Sequence, residues 1–413
     1  MPPDPKLPEP LNGGRPNAGR LPTPRHWQVE ALKRWLSRRR GVVSVVTGGG
    51  KTLFALQCFA AFRADISSAR LAVIVPTIAL LDQWTVALQV DLGVSPADIG
   101  TYSGEGRPGH PGVVNVLVMN TARGLMPSIT ADGPWMLVVD ECHRSGSPEN
   151  AKVLEGNFAA VLGLSATPQR QFDDGFERFV EPRLGGVIYE YDHAAARRDG
   201  VIAAFEVHNI HFQLTNVEEK EYAKLSQRLA IRLQAVGGAM DDPIVASLIR
   251  LRTSVSLHAR WRVPTAIAAL RRMSGKAIVF HERIAAAEAI NESLSKSDRR
   301  PTIYHSRVYG PTRRERLRLF RAGVYDTLVT CRALDEGLNV PDASLAMIVA
   351  STTSRRQRIQ RLGRVLRATG PDKQAVVASL YATPSEEKQL REEQARLQDV
   401  AVVRWFEAGA KDG

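Results

Sequence analysis

The sequence predicts an α/β protein in which two parallel sheets, each flanked by helices, follow one another and are joined by a helical linker. Two observations lead to this prediction: short apolar runs alternate with amphipathic stretches, and the alternation occurs twice along the 413 residues. Apolar residues make up 44% of the chain and charged residues 24%, so the composition is that of a globular protein and excludes a disordered one.

The first set of elements is predicted over residues 25–213. Residues 1–24, which precede it, contain eight prolines and little that could be buried, and this predicts a disordered tail. Helical patterns occupy 51–64 and 78–90, and the segment 104–112 is typical of a surface loop. Five apolar runs have the length of buried parallel strands: 42–46, 71–75, 113–119, 136–139 and 160–164.

A second set of similar size is predicted over residues 274–383. Its five strands are predicted at 276–280, 302–305, 326–330, 345–349 and 374–381. The segment 214–273 predicts a linker with helices at 217–235 and 244–272, which two glycines and a proline separate. The last segment, 384–413, predicts a charged amphipathic helix.

The net charge of +12 is distributed unevenly along the chain. Residues 1–213 carry 21 basic and 21 acidic side chains, whereas residues 214–413 carry 34 basic and 22 acidic ones. This imbalance indicates a polyanionic partner that meets mainly the second part, although a solvated arginine-rich surface would produce the same count.

Five of the basic side chains lie on one predicted helix: Arg313, Arg314, Arg316, Arg318 and Arg321. Leu317 and Phe320 would face the core, and a solvated helix face is the favoured interpretation of the arginines.

The cysteines and the apolar runs exclude several classes of protein. Cys58, Cys142 and Cys331 lie far apart, so the chain is neither a disulfide scaffold nor a zinc module. No apolar run approaches the roughly 18 residues of a membrane helix, and the first residues have no apolar signal core. We therefore expect a cytoplasmic protein without a membrane anchor.

The segment VTGGGKT at 46–52 follows the first predicted strand and begins a helical pattern. Glycines bring backbone N–H groups close to phosphate oxygens, and the start of a helix adds its positive dipole end. Lys51 can reach the β- and γ-phosphates, and the Thr52 hydroxyl can bind Mg²⁺. The predicted ATP-binding residues of this loop are Thr47, Gly48, Gly49, Gly50, Lys51 and Thr52. Val45 stands where the strict pattern has glycine, and a glycine turn capped by a lysine is the structural alternative.

A pair of carboxylates follows another predicted strand, in LVVDECHR at 137–144. Asp140 can hold Mg²⁺ through water, and Glu141 can orient or deprotonate the attacking water. Two acids at the tip of a buried strand are costly unless a metal or a partner offsets their charge. The alternative is a surface turn that happens to contain two acids.

These segments resemble the motifs of a superfamily 2 helicase or translocase of the DEAD/DEAH-box type, and most of all those of XPB-like and type III restriction-subunit-like DNA motors. The resemblance covers residues 25–383 and implies two tandem RecA-like domains, a helicase ATP-binding domain and a helicase C-terminal domain. The motifs occur in the family's order: RHWQVEAL (25–32), VTGGGKT, VPTIALLDQW (75–84), DECH (140–143), LSATPQR (164–170), IVFHE (278–282), TCRALDEGLNVPD (330–342) and QRLGRVLR (360–367).

The resemblance implies further contacts with the nucleotide. Gln28 would read the adenine edge, and Gly337 and Asn339 would line the nucleotide at the domain interface. Many relatives carry aspartate where Asn339 stands, and asparagine can still hydrogen-bond a ribose hydroxyl.

The motif at 360–367 would complete the catalytic set together with Glu141. By resemblance, Arg364 and Arg367 are expected to be arginine fingers, and Gln360 to help position the water. A basic helix that only grips phosphate backbones is the alternative for this segment.

Two further groups of residues are implied by the resemblance. His143, Ser165 and Thr167 would couple the nucleotide site to the nucleic acid, although a simple strand-to-turn sequence is the alternative for the last two. A single strand would cross both domains through backbone contacts, away from the ATP cleft. The expected positions on that strand track are Pro76, Thr77, Thr121, His281, His305, Ser306 and Thr330, each of which could equally be a turn or cap residue.

The function predicted from the sequence is an ATP-dependent and Mg²⁺-dependent nucleic-acid helicase or translocase, with DNA favoured over RNA. The resemblance also implies protein partners in repair, restriction or phage defence. The alternative is an ATP-gated nucleic-acid clamp or remodelling scaffold that does not unwind strands.

Overall fold

The computed structural model describes residues 21–166, 174–199, 205–331, 343–350, 375–397 and 401–408. Within these ranges the chain forms two seven-stranded sheets, and every pair of neighbouring strands is parallel.

The first sheet consists of β1 (Val42–Val45), β2 (Arg70–Val75), β3 (Ile99–Tyr102), β4 (Val114–Val118), β5 (Trp135–Asp140), β6 (Ala160–Ser165) and β7 (Val187–Tyr191). The strand order is β3-β4-β2-β5-β6-β1-β7. The helices of this part are α1 (His26–Leu36), α2 (Lys51–Asp65), α3 (Ile78–Val90), α4 (Met119–Ala122), α5 (Met126–Ile129), α6 (Pro148–Ala151), α7 (Glu181–Leu184) and α8 (His193–Arg198).

The second sheet consists of β8 (Phe205–His211), β9 (Ala277–His281), β10 (Pro301–Tyr304), β11 (Thr327–Cys331), β12 (Leu345–Ile348), β13 (Ala375–Tyr381) and β14 (Ala401–Glu407). The strand order is β10-β11-β9-β12-β13-β8-β14. The helices of this part are α9 (Asn216–Ala235), α10 (Pro243–Leu257), α11 (Arg262–Arg272), α12 (Ile284–Ser295), α13 (Gly310–Arg321) and α14 (Pro384–Leu397).

Each sheet is covered on both faces because its central strands are apolar on both faces. In β2, Val73 belongs to one core cluster, whereas its neighbours Ala72 and Ile74 belong to the cluster on the opposite face. The second sheet shows the same alternation, since Ile278 and Val279 of β9 belong to different clusters. The ten strands predicted from apolar runs are all present, with bounds within one residue of the predicted ones.

Two predicted segments differ from the structure. The last segment, 384–413, is not a single helix, because α14 ends at Leu397 and β14 follows it at the sheet edge. Residues of β14 alternate between partly buried and exposed, a period of two that fits an edge strand and not a helix. The predicted helix 244–272 is two helices, α10 and α11.

Strand β8 lies within the range 25–213 predicted for the first domain, yet it pairs with β13 and β14 of the second sheet. The helices of 214–273 therefore lie between two strands of one sheet instead of bridging two domains. Strand β8, FEVHNIH, alternates apolar and polar residues and so lacks the continuous apolar run that predicts the other strands of a buried sheet. Residues 1–20 of the predicted tail lie outside the described residues.

Candidate active site

The glycine-rich loop lies between the end of β1 and the start of α2. Gly50, which precedes α2, has φ = 101°, in the left-handed region that favours glycine. A Cβ atom at Gly49 would lie 2.5 Å from a methyl carbon of Val45 and 2.9 Å from the carbonyl oxygen of Val46. The loop therefore needs these glycines, and its shape leaves the first N–H groups of α2 available for an anion.

Three side chains at the start of α1 hold the carbonyl groups of this loop. Arg25 and the indole of Trp27 donate to the carbonyl oxygen of Gly49 over 2.9 and 3.2 Å. Gln28 Nε2 donates to the carbonyl oxygen of Gly50 over 3.1 Å, and its Oε1 accepts the backbone N–H of Arg25 over 2.8 Å. Gln28, which was expected to read adenine, thus has both ends of its amide group engaged with the protein in this structure.

Lys51 and the two carboxylates of the DECH segment meet at the same edge of the first sheet. Lys51 Nζ lies 3.1 Å from Glu141 Oε1. Asp140 is 5% exposed; its Oδ1 accepts the N–H of Glu141 over 3.0 Å, and its Oδ2 accepts the indole N–H of Trp84 over 2.9 Å. Glu141 has φ = 51°, a left-handed conformation that is strained for a residue other than glycine.

The charges in this cluster shift one another's pKa values. Burial lowers the pKa of Lys51, but the nearby Glu141 and Asp140 outweigh this effect and raise it. Burial likewise raises the pKa of Glu141, but Lys51 and His143 outweigh it, so the pKa of Glu141 is lowered. The pKa of Asp140 is raised by burial and by the neighbouring Glu141. Lys51 and Glu141 are therefore favoured in their charged forms.

The DECH turn is joined to the end of the next strand. His143 Nδ1 lies 2.9 Å from the hydroxyl oxygen of Ser165 and 3.5 Å from Glu141 Oε2. Strands β5 and β6 are neighbours, so Asp140 and Ser165 end adjacent strands. The structure thus brings together two of the three expected coupling residues.

Several predicted site residues lie outside the described residues and receive no structural description: Thr167, Gly337, Asn339, Gln360, Arg364 and Arg367.

A cavity of about 740 Å³ lies between elements of the two sheets. Pro76 and Thr77 line it from the end of β2, and His305 and Ser306 line it from the end of β10. The Thr77 hydroxyl also caps α3 by accepting the N–H of Leu80 over 3.3 Å. Four of the seven residues expected on the strand track therefore share one cavity.

The other three expected track residues do not line this cavity. His281 is buried at the end of β9, where its Nδ1 accepts the N–H of Arg283 over 3.0 Å. Thr330 is buried within β11, and its hydroxyl has no hydrogen-bond partner among the described residues. Thr121 lies on the short helix α4 and is partly buried.

Arg313, Arg314 and Arg321 of α13 pair with acids of the first part, so they do not form a solvated face, contrary to the interpretation favoured from the sequence. Arg313 is 2% exposed and pairs with two carboxylates of the first part, Asp82 of α3 and Glu105. Arg321 pairs with Asp91 at the end of α3 over 3.1 Å. A buried guanidinium needs partners for its charge. Because two of these partners lie on α3 or at its end, the ion pairs hold α13 against α3. Leu317 and Phe320 are buried as expected.

Sequence reasoning missed Trp84 and Asp82, which lie within VPTIALLDQW and are both fully buried. The available signal was an acid and an indole within an otherwise apolar helix, since a buried carboxylate and a buried N–H both need partners.

None of the helices within the described ranges is long and apolar enough to cross a membrane.

Comparison with protein families and known proteins agrees with these motifs. The family model "Type III restriction enzyme, res subunit" matches residues 21–170, and the model "Helicase conserved C-terminal domain" matches residues 262–369.

Curated relatives match along most of the chain. The "DNA 3'-5' translocase XPB2" of Sulfurisphaera tokodaii is 29% identical, over 86% of this chain and 81% of that protein. The "DNA 3'-5' helicase XPB" of Mycobacterium tuberculosis is 24% identical, over 87% of this chain and 61% of that protein.

Among solved structures, Saccharomyces cerevisiae Dbp5 bound to RNA and ADP BeF3 matches with a TM-score of 0.58 and 15% identity, over 92% of this chain and 90% of that one. This likeness supports the fold of two packed α/β domains.

Proposed function

Because the chain belongs to the superfamily 2 helicases with two RecA-like domains, we propose that it is an ATP-hydrolysing DNA translocase or helicase. The observation that supports this most is the cluster of Lys51, Asp140 and Glu141 beside the glycine loop, at the edge of a parallel sheet. Ligands of open α/β sheets bind at the carboxyl ends of the strands, where this cluster lies.

The first domain would hold the nucleotide. The loop from Thr47 to Gly50 would surround the phosphates, and Lys51 would pair with the β- and γ-phosphates. The hydroxyl of Thr52 and the buried carboxylate of Asp140 are hard oxygen ligands that fit Mg²⁺. Bound Mg²⁺ would supply positive charge to the phosphate oxygens.

Glu141 would orient and deprotonate the attacking water. Lys51 contacts its carboxylate over 3.1 Å, so phosphates that draw Lys51 toward themselves would release Glu141 for this role. Arrival of the nucleotide and activation of the base would then be one event.

The second domain would complete the site with residues outside the described ranges. We propose Arg364 and Arg367 as arginine fingers, with Gln360 near the water and with Gly337 and Asn339 beside the nucleotide. Arginine fingers accelerate phosphoryl transfer by about 10³-fold or more in related systems.

A DNA strand would pass through the cavity between the two sheets. The hydroxyl groups of Thr77 and Ser306 can donate to phosphate oxygens, and the exposed Arg283 and Arg307 add positive charge to the cavity that Pro76 also lines. The contacts are to the backbone, so sequence preference should be low.

The test is ATP hydrolysis measured with no nucleic acid and with single-stranded and double-stranded DNA and RNA. Stimulation by DNA supports the proposal, whereas turnover that no nucleic acid changes would overturn the motor function. Strand-displacement and triplex-displacement assays then separate unwinding from duplex translocation. DNA-stimulated hydrolysis without either displacement would instead identify an ATP-gated clamp or remodelling scaffold.

A further inference from the structure

Trp84 contacts the carboxylate that the proposed function assigns to Mg²⁺. Its indole Nε1 donates to Asp140 Oδ2 over 2.9 Å, and the Trp84 side chain is fully buried. Trp84 lies on α3, which follows β2, and β2 is the direct neighbour of β5, which ends at Asp140. The contact therefore joins two adjacent segments at the carboxyl edge of the first sheet.

Among the described residues, Asp140 accepts from two donors of different kinds. The N–H of Glu141 reaches Oδ1 over 3.0 Å and belongs to the strained turn itself. Trp84 reaches Oδ2 from a separate helix, so it fixes the rotation of the carboxylate independently of the turn. A carboxylate held at both oxygens presents its remaining lone pairs in one direction.

We infer that Trp84 is a positioning residue that orients the Asp140 carboxylate toward the divalent cation; this inference rests on the proposed function. An indole N–H is a donor that carries no charge and cannot accept. It therefore offsets part of the free-energy cost of burying Asp140. A lysine in its place would compete with the cation for the negative charge, whereas the neutral indole does not. Donors behind metal ligands orient the ligand, and their loss lowers metal affinity by about 10- to 100-fold.

The chain offers a matched control in Trp35. Trp35 is also fully buried in the core of the first sheet, and its indole Nε1 also donates over 2.9 Å, to the carbonyl oxygen of Val161. Trp84→Phe and Trp35→Phe therefore each remove one buried indole hydrogen bond and a similar volume. Only the first removes a donor from the carboxylate of the cation site.

The experiment measures ADP binding by calorimetry with Mg²⁺ and with EDTA in the full-length wild type and in both variants. We expect Trp84→Phe to weaken the Mg²⁺-dependent part of ADP affinity by about 10- to 100-fold and to leave ADP binding in EDTA unchanged. Trp35→Phe should leave both values as in the wild type. The concentration of Mn²⁺ at half-saturation, followed by electron paramagnetic resonance with ADP present, should rise in Trp84→Phe alone.

A second variant removes the N–H without changing the ring volume. Benzothienylalanine at position 84, which carries sulfur in place of the indole N–H, should reproduce the loss of Mg²⁺-dependent affinity even if Trp84→Phe does not fold. A cycle with Asp140→Asn adds a further check, because the effect of Trp84→Phe on Mg²⁺ should vanish once the carboxylate is absent.

The outcomes separate this inference from the proposed function. If ADP binding to the wild type is the same with Mg²⁺ and with EDTA, this result contradicts the proposed cation site itself and the positioning role with it. A wild type that depends on Mg²⁺, combined with equal Mg²⁺ affinity in the variants at positions 84 and 35, would overturn the positioning role and leave the proposed function intact.

Discussion

His143 Nδ1 lies 2.9 Å from the hydroxyl oxygen of Ser165, and this contact joins the turn that carries Glu141 to the end of the adjacent strand. Residues beyond Ser165 lead into the segment that carries Thr167. The contact therefore gives the carboxylate turn a direct connection to the next motif along the chain.

Ser165→Ala should reduce the ratio of DNA-stimulated to basal ATP hydrolysis by about fivefold, since one hydrogen bond contributes about 1 kcal/mol. Steady-state rates at saturating ATP with and without single-stranded DNA measure this ratio. Ser145→Ala is the control, because Ser145 is buried nearby and its hydroxyl has no hydrogen-bond partner among the described residues. An equal ratio in the two variants would contradict a coupling role for Ser165.

Lys51→Ala and Glu141→Gln should both abolish ATP hydrolysis, but for different reasons. Lys51→Ala removes the cation that pairs with the phosphates, so nucleotide binding should weaken as well. Glu141→Gln removes the base and keeps the size of the side chain, so ATP and DNA should still bind. Fluorescent-nucleotide binding and single-turnover hydrolysis separate the two effects. Normal turnover by Glu141→Gln would show that Glu141 is not the catalytic carboxylate.

Asp82→Ala should loosen the contact between the two domains. Asp82 accepts a hydrogen bond from the Tyr304 hydroxyl over 2.8 Å and pairs with the buried Arg313. Its loss leaves Arg313 with one carboxylate partner fewer. Leaving a buried charge without a partner costs about 3–5 kcal/mol, and we expect a smaller loss here because Arg313 keeps its ion pair with Glu105. Thermal unfolding should shift downward, and small-angle scattering should show a larger radius of gyration.

Arg318→Ala is the control for that experiment, because Arg318 pairs with Glu315 on the same helix and is partly exposed. Such pairs contribute at most about 0.5 kcal/mol. A stability loss of the same size in both variants would mean that the pair of Asp82 and Arg313 does not hold the domains together.

His281 should make the protein less stable as the pH falls from about 6.5 to 4. Burial lowers the pKa of His281 to about 4, and the nearby Arg262 and Arg283 add to this effect, whereas Glu282 opposes it. In the unfolded chain the pKa is about 6.5, so in this range the unfolded state binds a proton that the folded state does not. The stability present above pH 6.5 is lost as the pH falls, by about 3 kcal/mol at the lower end.

His281→Asn isolates this contribution, because asparagine keeps an acceptor for the N–H of Arg283 and does not titrate. Urea unfolding at pH 7 and pH 4.5 should show a smaller loss of the free energy of unfolding in the variant than in the wild type. Identical losses would contradict the buried neutral state of His281.

Binding of single-stranded DNA should depend on salt less steeply than the net charge suggests. Arg313, Arg314 and Arg321 contribute to the basic excess but pair with acids of α3 and Glu105. The slope of log K against log salt is about −0.7 per phosphate neutralised on a single strand. We expect a slope clearly shallower than roughly −8, the value for twelve neutralised phosphates. A measured slope near that value would contradict this assignment of the arginines.

The sequence predicted best those strands that are buried on both faces and are therefore continuously apolar. Runs such as LAVIV in β2 are apolar on both faces, so length and composition identify them without knowledge of their neighbours. Strands β3, β7, β8 and β14 were missed because they lie at or next to a sheet edge and lack a continuous apolar run.

The candidate site was predictable where one short segment carries the chemistry, as in the loop before Lys51 and the DECH turn. The contacts of Trp84 and Arg313 were not predictable, because each joins residues more than 50 positions apart through tertiary packing. The arginines of α13 show the limit most clearly. The periodicity identified the buried face of the helix, but only the packing against α3 revealed that Arg313 is buried too.

The order of strands along the chain has a consequence for how the molecule can be divided. Within the described residues, every strand of the first sheet lies between positions 42 and 191, and every strand of the second between positions 205 and 407. Among these strands, none of either sheet comes from the range of the other. A gene split between positions 191 and 205 would therefore encode two fragments, each of which contains all the described strands of one sheet. The two fragments would then associate through the ion pairs between α13 and α3.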